Sequence, residues 1–260
     1  MTPEELLRHY DQASEWPAAC GLDVPLAYER ALSVRELRIA RGERPRGYKV
    51  GFTNRTIWPR YGVFAPIWGT VWDTTLQFCE GEGEVSLAGT AHPRLEPEAV
   101  FGMARTPPAR ATLQDLYGSI EWVAPGFEIV QSHQAWKFTA ADTVADGALH
   151  ARLLVGRRLP IAQLAPDAAS LELALAEARI ELRRGGELVD RGLGANVLDG
   201  PLHALKHFLE ALRACPGATD LQPGDVVTTG TWTDAWPVHA GQEWTAAFEQ
   251  PLSALKVRFR

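Results

Sequence analysis

Apolar and polar positions follow two different rhythms along this chain. Near the start, Thr2, Pro3 and Glu5 supply a capping hydroxyl, a first-turn proline and a glutamate at capping-box spacing, so a helix is expected to about Ser14. A second helix is expected from near Asp23 to Gly42, with Leu26, Ala27, Leu32, Val34 and Leu37 on its apolar side. Its end carries Arg38 and Arg41, which suit the helix dipole, and Gly42, which suits a C-cap. From Gly47 the texture changes. GYKVGFTN, GTVWDTTLQF and EPEAVFGM are short β-branched or aromatic runs broken by Gly and Pro, the pattern of strands. A helix is expected over Thr112 to about Trp122, then a strand at GFEIVQS, then a helix capped by Thr139 and running through TAADTVADGALHARLL to Gly156. ARIELRRGGELVDRG alternates on both sides of Gly185–Gly186 and reads as a β-hairpin, although its first half also fits a helix. PLHALKHFLEALRA is an amphipathic helix, and GDVVTTGTW, EWTAAF and ALKVRF return to strands. Mixed strands with inserted helices and no strict βαβ rhythm predict an α+β fold around a β-roll or sandwich. The division expected is a small helical N-terminal unit, 1–46, and a catalytic β-roll domain, 47–260.

Composition narrows the function more than the fold. With 260 residues, 46% of them hydrophobic, the chain is long enough to bury a core without disulfides or a structural metal. A metal site here would therefore serve chemistry. The net charge of −6 offers no basic footprint for nucleic acid. The nine tryptophans lack an interleaved basic face and read as core and pocket walls. Three widely spaced cysteines, Cys20, Cys79 and Cys215, suit incidental thiols in a reducing compartment. The first residues hold no apolar signal core, and no uncharged apolar run reaches the roughly 18 residues a membrane span needs. A cytoplasmic protein without a membrane partner is expected.

The sharpest chemical feature is Arg94-Leu95-Glu96-Pro97-Glu98-Ala99-Val100-Phe101. On an extended segment Glu96 and Glu98 share one face, roughly 6–7 Å apart. Pro97 between them blocks a ladder bond, which predicts an edge or irregular strand. Two like charges on one face repel unless neutralised, and an oxygen-seeking ion such as Mg²⁺ would do it; a solvated edge is the plainer alternative. Glu128, in the apolar strand Pro125-Gly126-Phe127-Glu128-Ile129-Val130, would be costly to bury unpaired. Lys49 sits in the glycine-flanked run Gly47-Tyr48-Lys49-Val50-Gly51, where it could bind a carboxylate or move a proton, or be an ordinary surface lysine.

Taken in order, GYKVGFT, GTVWDTT, RLEPEAVF, PGFEIVQSHQAWKFTAADTVAD and GDVVTTGTWTDAWPVHAG resemble the 2-keto-4-pentenoate hydratase and 4-oxalocrotonate decarboxylase family of the fumarylacetoacetate hydrolase superfamily. The resemblance runs from about Ala27 to the C-terminus. It implies a mixed β-roll core that holds Mg²⁺ or Mn²⁺ through Glu96, Glu98 and Glu128, with Lys49 beside the substrate. The implied substrate is a small 2-oxo or 2-hydroxy-dienoic acid from the breakdown of aromatic compounds. Hydration gives a 4-hydroxy-2-oxo acid, and decarboxylation of a 2-oxo diacid or C–C hydrolysis are the alternatives. A homo-oligomer is implied, and an association with a partner enzyme of the same pathway fits the family, whether the chain is active or a non-catalytic paralogue. Retention of all three acids favours the active form. Gly230 and Thr231 fall where the family places a small-residue turn at the substrate carboxylate. The chain departs from the family pattern at several points. Asn54 replaces a serine, Thr74 stands where an acid is usual with Asp73 adjacent as its substitute at the substrate, and Gly147 and Leu149 replace an asparagine and a serine. His133 stands in for an arginine. His133, His150 and Lys137 lie near the expected site, while Asp142 and Asp146 read as capping or solvent-facing groups.

Overall fold

The computed structural model describes residues 1–260. Eight α-helices are present: α1 Pro3–Gln12, α2 Val24–Ala40, α3 Trp58–Tyr61, α4 Leu113–Tyr117, α5 Ala140–Ala145, α6 Ile161–Leu164, α7 Ala168–Glu177 and α8 Pro201–Ala214. The first strands are β1 Pro45–Gly51, β2 Ile67–Trp72, β3 Leu76–Phe78 and β4 Glu82–Val85, followed by the long β5 Arg94–Met103 and β6 Ile120–Val130. Next come β7 His150–Val155, β8 Leu159–Pro160, β9 Arg179–Arg184 and β10 Glu187–Leu193. The last are β11 Val226–Thr228, β12 Trp236–Pro237, β13 Glu243–Phe248 and β14 Leu255–Phe259. They form a mixed nine-stranded sheet with the path β2-β1-β11-β5-β6-β7-β3, to which β12 and β8 add beside β5 and β6. A second sheet runs β10-β9-β13-β14-β4. The α+β class is as expected. No helix is long and apolar enough to cross a membrane.

Local rules account for the elements that match. Thr2 and Glu5 close the capping box of α1, and Asp23 caps α2 through the Leu26 N–H. Gly185 and Gly186, with φ of +55° and +90°, make the two-residue turn between β9 and β10. Helix α8 buries Leu202, Leu205, Phe208, Leu209 and Leu212 along one stripe, joining a core that includes Phe101, Phe127 and Trp244. Helices α1 and α2 share a smaller core with the body of the chain, in which Leu6, Trp16 and Ala27 meet Ile67, Val144 and Ala148.

Four expectations fail, each for a local reason. The helix expected from Thr112 stops at Tyr117, because Ile120, Val123 and Ala124 are claimed by the buried strand β6. The helix expected from Thr139 to Gly156 ends at Ala145. Gly147, Ala148 and Leu149 then take φ of +61°, +55° and +67°, and HARLLV becomes β7, pairing with β6 and β3. Almost wholly buried, β7 has lost the alternation that marks a half-exposed strand. GTVWDTTLQF is broken by a turn at Asp73–Thr75, which sends β2 and β3 to opposite ends of the sheet path. Finally, β5 is interior rather than an edge, flanked by β6 on one side and by β11 and β12 on the other.

Candidate metal centre

Strand pairing builds the acid cluster. In the β5–β6 ladder Glu96 lies opposite Glu128, and Glu98 lies two residues further along the same face. One carboxylate oxygen from each of the three can be chosen so that all lie within 4.8 Å of one another. Glu98 and Glu128 are fully buried and Glu96 is partly exposed at the mouth. Pro97 fits an interior strand because its neighbour is interrupted there. The Pro97 carbonyl accepts from the Trp232 N–H at 3.0 Å, so its nitrogen faces the same side, between the end of β11 and the start of β12.

That interruption also shapes Glu98. The chain leaving β11 turns its N–H groups inward, and Thr229 and Gly230 donate to Glu98 Oε2 at 3.0 and 2.6 Å. Gly230 has φ of +97°, and a Cβ there would collide with the Thr53 side chain. On Glu128, Oε1 faces His150 Nδ1 at 2.9 Å, and His150 Nε2 faces the Thr75 hydroxyl at 2.9 Å. The remaining oxygens, Glu98 Oε1 and Glu128 Oε2, are buried without any hydrogen-bond partner. Lys49, on β1 and 2% exposed, brings Nζ to 3.5 Å from Glu128 Oε2 and 4.0 Å from Glu96 Oε2.

The charges are strongly perturbed. Burial pushes the Glu98 carboxyl well above the usual carboxylate range, and Glu128 and Glu96 push it the same way. Burial raises Glu128 to about 8 despite the opposing pull of Lys49, and burial raises Glu96 too. Burial alone would lower the Lys49 ammonium, but Glu128, Glu96 and Glu98 outweigh it and hold it above its ordinary value. His150 is held well below its ordinary value by burial and by the charge of Lys49, so its ring is neutral at pH 7.

A cleft of about 410 Å³ opens over the cluster, lined by Lys49, Glu96, Gly230 and Thr231. Its aromatic wall is built from Phe52 stacked on Tyr61 at 4.8 Å and Tyr61 stacked on Phe138 at 5.7 Å. The structure thus brings six of the seven residues singled out from sequence to one place. The Gly230 N–H is committed to Glu98, not free for a ligand. Asp73 is the exception. It lies exposed on the β2–β3 turn, accepting the Arg44 N–H at 3.0 Å, because that turn packs back toward the end of α2 and away from the cleft. Asp146 sits at the C-cap of α5 but is not solvent-facing: its carboxylate binds the buried His133 ring at 2.6 Å and the His133 N–H at 3.1 Å. His150 comes beside Glu128 only because HARLLV is a strand, which its lack of alternation conceals.

No protein-family profile matches the chain. Individual relatives do. A 2-hydroxyhexa-2,4-dienoate hydratase of Comamonas testosteroni is 30% identical over 226 residues, 86% of this chain and 81% of that protein. A 4-oxalocrotonate decarboxylase of a Pseudomonas species is 31% identical over 229 residues, 86% of this chain and 84% of its own length. The chain belongs to the 2-keto-4-pentenoate hydratase and 4-oxalocrotonate decarboxylase family. Its fold agrees with the fumarylacetoacetate hydrolase superfamily to which that family belongs. The crystal structure of 4-oxalocrotonate decarboxylase from Pseudomonas putida G7, complexed with magnesium and adipate, superposes with a TM-score of 0.86 at 24% identity, covering 99% of this chain and 95% of that one. Within this hydratase and decarboxylase family, the acid cluster of β5 and β6 is the feature of the present chain that asks for chemistry.

Proposed function

We propose that this chain is a metal-dependent hydro-lyase that adds water to a 2-hydroxy-2,4-dienoate and yields a 4-hydroxy-2-oxo acid. One observation carries the reading: Glu98 Oε1 and Glu128 Oε2 are buried without a hydrogen bond, in a three-acid cluster whose charge is met by a single lysine, 3.5 Å from Glu128 Oε2. Buried carboxylate oxygens are otherwise paired, so the arrangement fits an added cation. The donor set is all oxygen, which suits a hard divalent ion of the Mg²⁺ or Mn²⁺ type held by Glu96, Glu98 and Glu128. Such an ion supplies Lewis-acid polarisation of a 2-oxo group and stabilises negative charge on the neighbouring oxygens.

The chain's own groups do the rest. Thr229 and Gly230 fix Glu98, and His150 fixes Glu128, so each acid keeps one oxygen aimed into the cluster. Lys49 keeps its proton at Nζ beside the acids, ready to bind a substrate carboxylate or to protonate a carbon. Thr231 and Gly230 line the cleft beside Lys49, where a substrate carboxylate would sit, and Phe52, Tyr61 and Phe138 would exclude water from its apolar wall.

Decarboxylation of a 2-oxo diacid is the second reading, favoured by relatives that carry that name at the same level of identity. Both reactions need the same stabilised enolate, and product analysis separates them. The purified protein should bleach the ultraviolet absorbance of 2-hydroxypenta-2,4-dienoate with Mg²⁺ and fail with chelator or as Glu98→Ala. Release of CO₂ from 4-oxalocrotonate without dienoate hydration would replace the hydratase reading by the decarboxylase one. Failure to bind any divalent ion would end both.

A further inference from the structure

A second hollow lies apart from the cleft and shares no lining residue with it. It is a cavity of about 60 Å³ between helices α1 and α2 on one side and β2 and α5 on the other. Nine buried side-chain polar atoms in the chain lack a hydrogen-bond partner, and two of them are the Glu98 and Glu128 oxygens already described. Four of the other seven belong to residues around this one cavity: Tyr10 Oη, Trp16 Nε1, Arg35 Nε and Trp68 Nε1. Trp68 is 4% exposed and Trp16 7%, so bulk solvent does not satisfy them.

The chemistry of these atoms is one-sided. Two indole N–H groups and a guanidinium N–H can only donate, and a phenol can donate. Nearby acceptors are engaged save one: His133 Nε2, on a ring 6.2 Å from that of Tyr10 and 6.3 Å from that of Trp16, is buried without a partner and can accept from only one of the four donors. The Asp146 carboxylate is bound twice by His133, and Glu43 is bound by Arg38 at 2.5 Å. His150, which also borders the cavity, has its ring nitrogens facing Glu128 and Thr75. Arg38 is spent on Glu43 and on the faces of Tyr10 and Trp72. Arg35 is different: one terminal nitrogen meets Glu36 at the surface at 3.1 Å, while its Nε stays buried and free. An occupant must therefore bring acceptor oxygens to an arginine and three neutral donors, in a space for a few waters or one small ion.

We propose that this cavity is a binding site for a small monovalent oxyanion of the carboxylate or bicarbonate class, with Arg35 supplying the charge and Tyr10, Trp16 and Trp68 the directed hydrogen bonds. The site is independent of the reaction in the cleft. Its position places a bound anion one side chain, His150, away from Glu128.

Formate and bicarbonate, titrated separately into the full-length protein, test it through tryptophan fluorescence, since two of the four donors are indoles. A saturable change that survives chelation of divalent metal is expected, weakened tenfold or more in Arg35→Gln and in Trp68→Phe. Tyr10→Phe, which removes only a hydroxyl, gives a second variant should either of those fail to fold, and it should weaken binding in the same direction. A crystal soaked in formate should show the ion against these four donors. Tighter binding of bicarbonate than of formate would assign an inorganic source, and the reverse a carboxylate metabolite. Binding that disappears with the metal, or is equal in all variants, would place the anion in the cleft and overturn the proposal. Ordered water alone in the soaked cavity would overturn it as well.

Discussion

Glu98 and Glu128 of the acid cluster and the His133–Asp146 pair are all buried, yet they are balanced differently. Asp146 gives both its oxygens to one histidine, through the ring and through the backbone N–H. In the cluster, three carboxylates face one ammonium: Glu98 Oε1 has no partner, and Glu128 Oε2 has only the Lys49 ammonium at 3.5 Å and no hydrogen bond. A buried carboxylate whose two oxygens are both satisfied, as in Asp146, holds a fold together, and removing it leaves costly orphans. A cluster that cannot satisfy itself costs stability until something binds. The difference separates structure from function more sharply than burial alone, because Glu98, Glu128, His133 and Asp146 are all buried.

The largest effect should come from breaking the unbalanced side. Glu98→Gln keeps the shape and an acceptor for the Thr229 and Gly230 N–H groups but removes a charge. Metal affinity should fall steeply and turnover by on the order of 10³-fold, the scale seen when a preorganised electrostatic partner is removed. The same variant should melt higher than wild type when both are metal-free at alkaline pH. A Glu98→Gln protein that melts lower under those conditions would contradict the idea of a site held under repulsion.

Breaking the balanced side should do the opposite. Asp146→Ala leaves the His133 ring and N–H unpartnered in a dry interior, and should cost about 3–5 kcal/mol of stability with metal bound or absent. Denaturant melts with and without Mg²⁺ check this. A loss that vanishes on adding Mg²⁺ would mean that Asp146 belongs to the metal site after all.

The comparison also has a pH signature. In the metal-free protein Glu128 titrates at about 8 instead of 4.5, and Glu98 is raised as well. Folded chains therefore hold protons that unfolded chains have already released. The resulting stability is complete below pH 4.5 and is lost as pH rises through about 8. Thermal melts in chelator should fall across that window, and Mg²⁺ should flatten the fall. A metal-free melting temperature that stays level or rises from acid to pH 8 would show that burial and the neighbouring acids do not raise these carboxyls.

Much of this was legible in the chain. Glu96, Glu98, Glu128 and Lys49 stood out as charged residues on apolar or glycine-flanked strands, and the family resemblance joined them into one site where the residues alone left a solvated edge and a surface lysine open. The hairpin at Gly185–Gly186 and the stripe of α8 followed from turn chemistry and periodicity. What was hidden depended on burial across two faces. HARLLV carries no alternation, so β7 passed for the tail of a helix, and the role of His150 beside Glu128 was lost with it. Asp73 was placed by alignment with a motif, whereas the turn that carries it points toward Arg44. Gly230 was marked as part of a small-residue turn at the substrate, but its N–H and that of Thr229 are backbone groups, and no residue type signals that they turn to Glu98.

Pro97 gives the smallest effect and a fine test of how the site is built. Between two strands a proline should cost a ladder bond, which is why an edge seemed necessary. Here its nitrogen faces the gap where β11 has ended at Thr228 and β12 has not yet begun at Trp236. That same gap frees the N–H groups of Thr229 and Gly230 to turn toward Glu98. The proline is thus a consequence of the interruption that makes the site, not its cause. Pro97→Ala should cost no more than about 1 kcal/mol, mostly by loosening the unfolded chain, and should leave metal affinity unchanged. A loss of metal binding in Pro97→Ala would instead make the ring a spacer that sets Glu96 and Glu98 in register, and calorimetric titration with Mn²⁺ distinguishes the two.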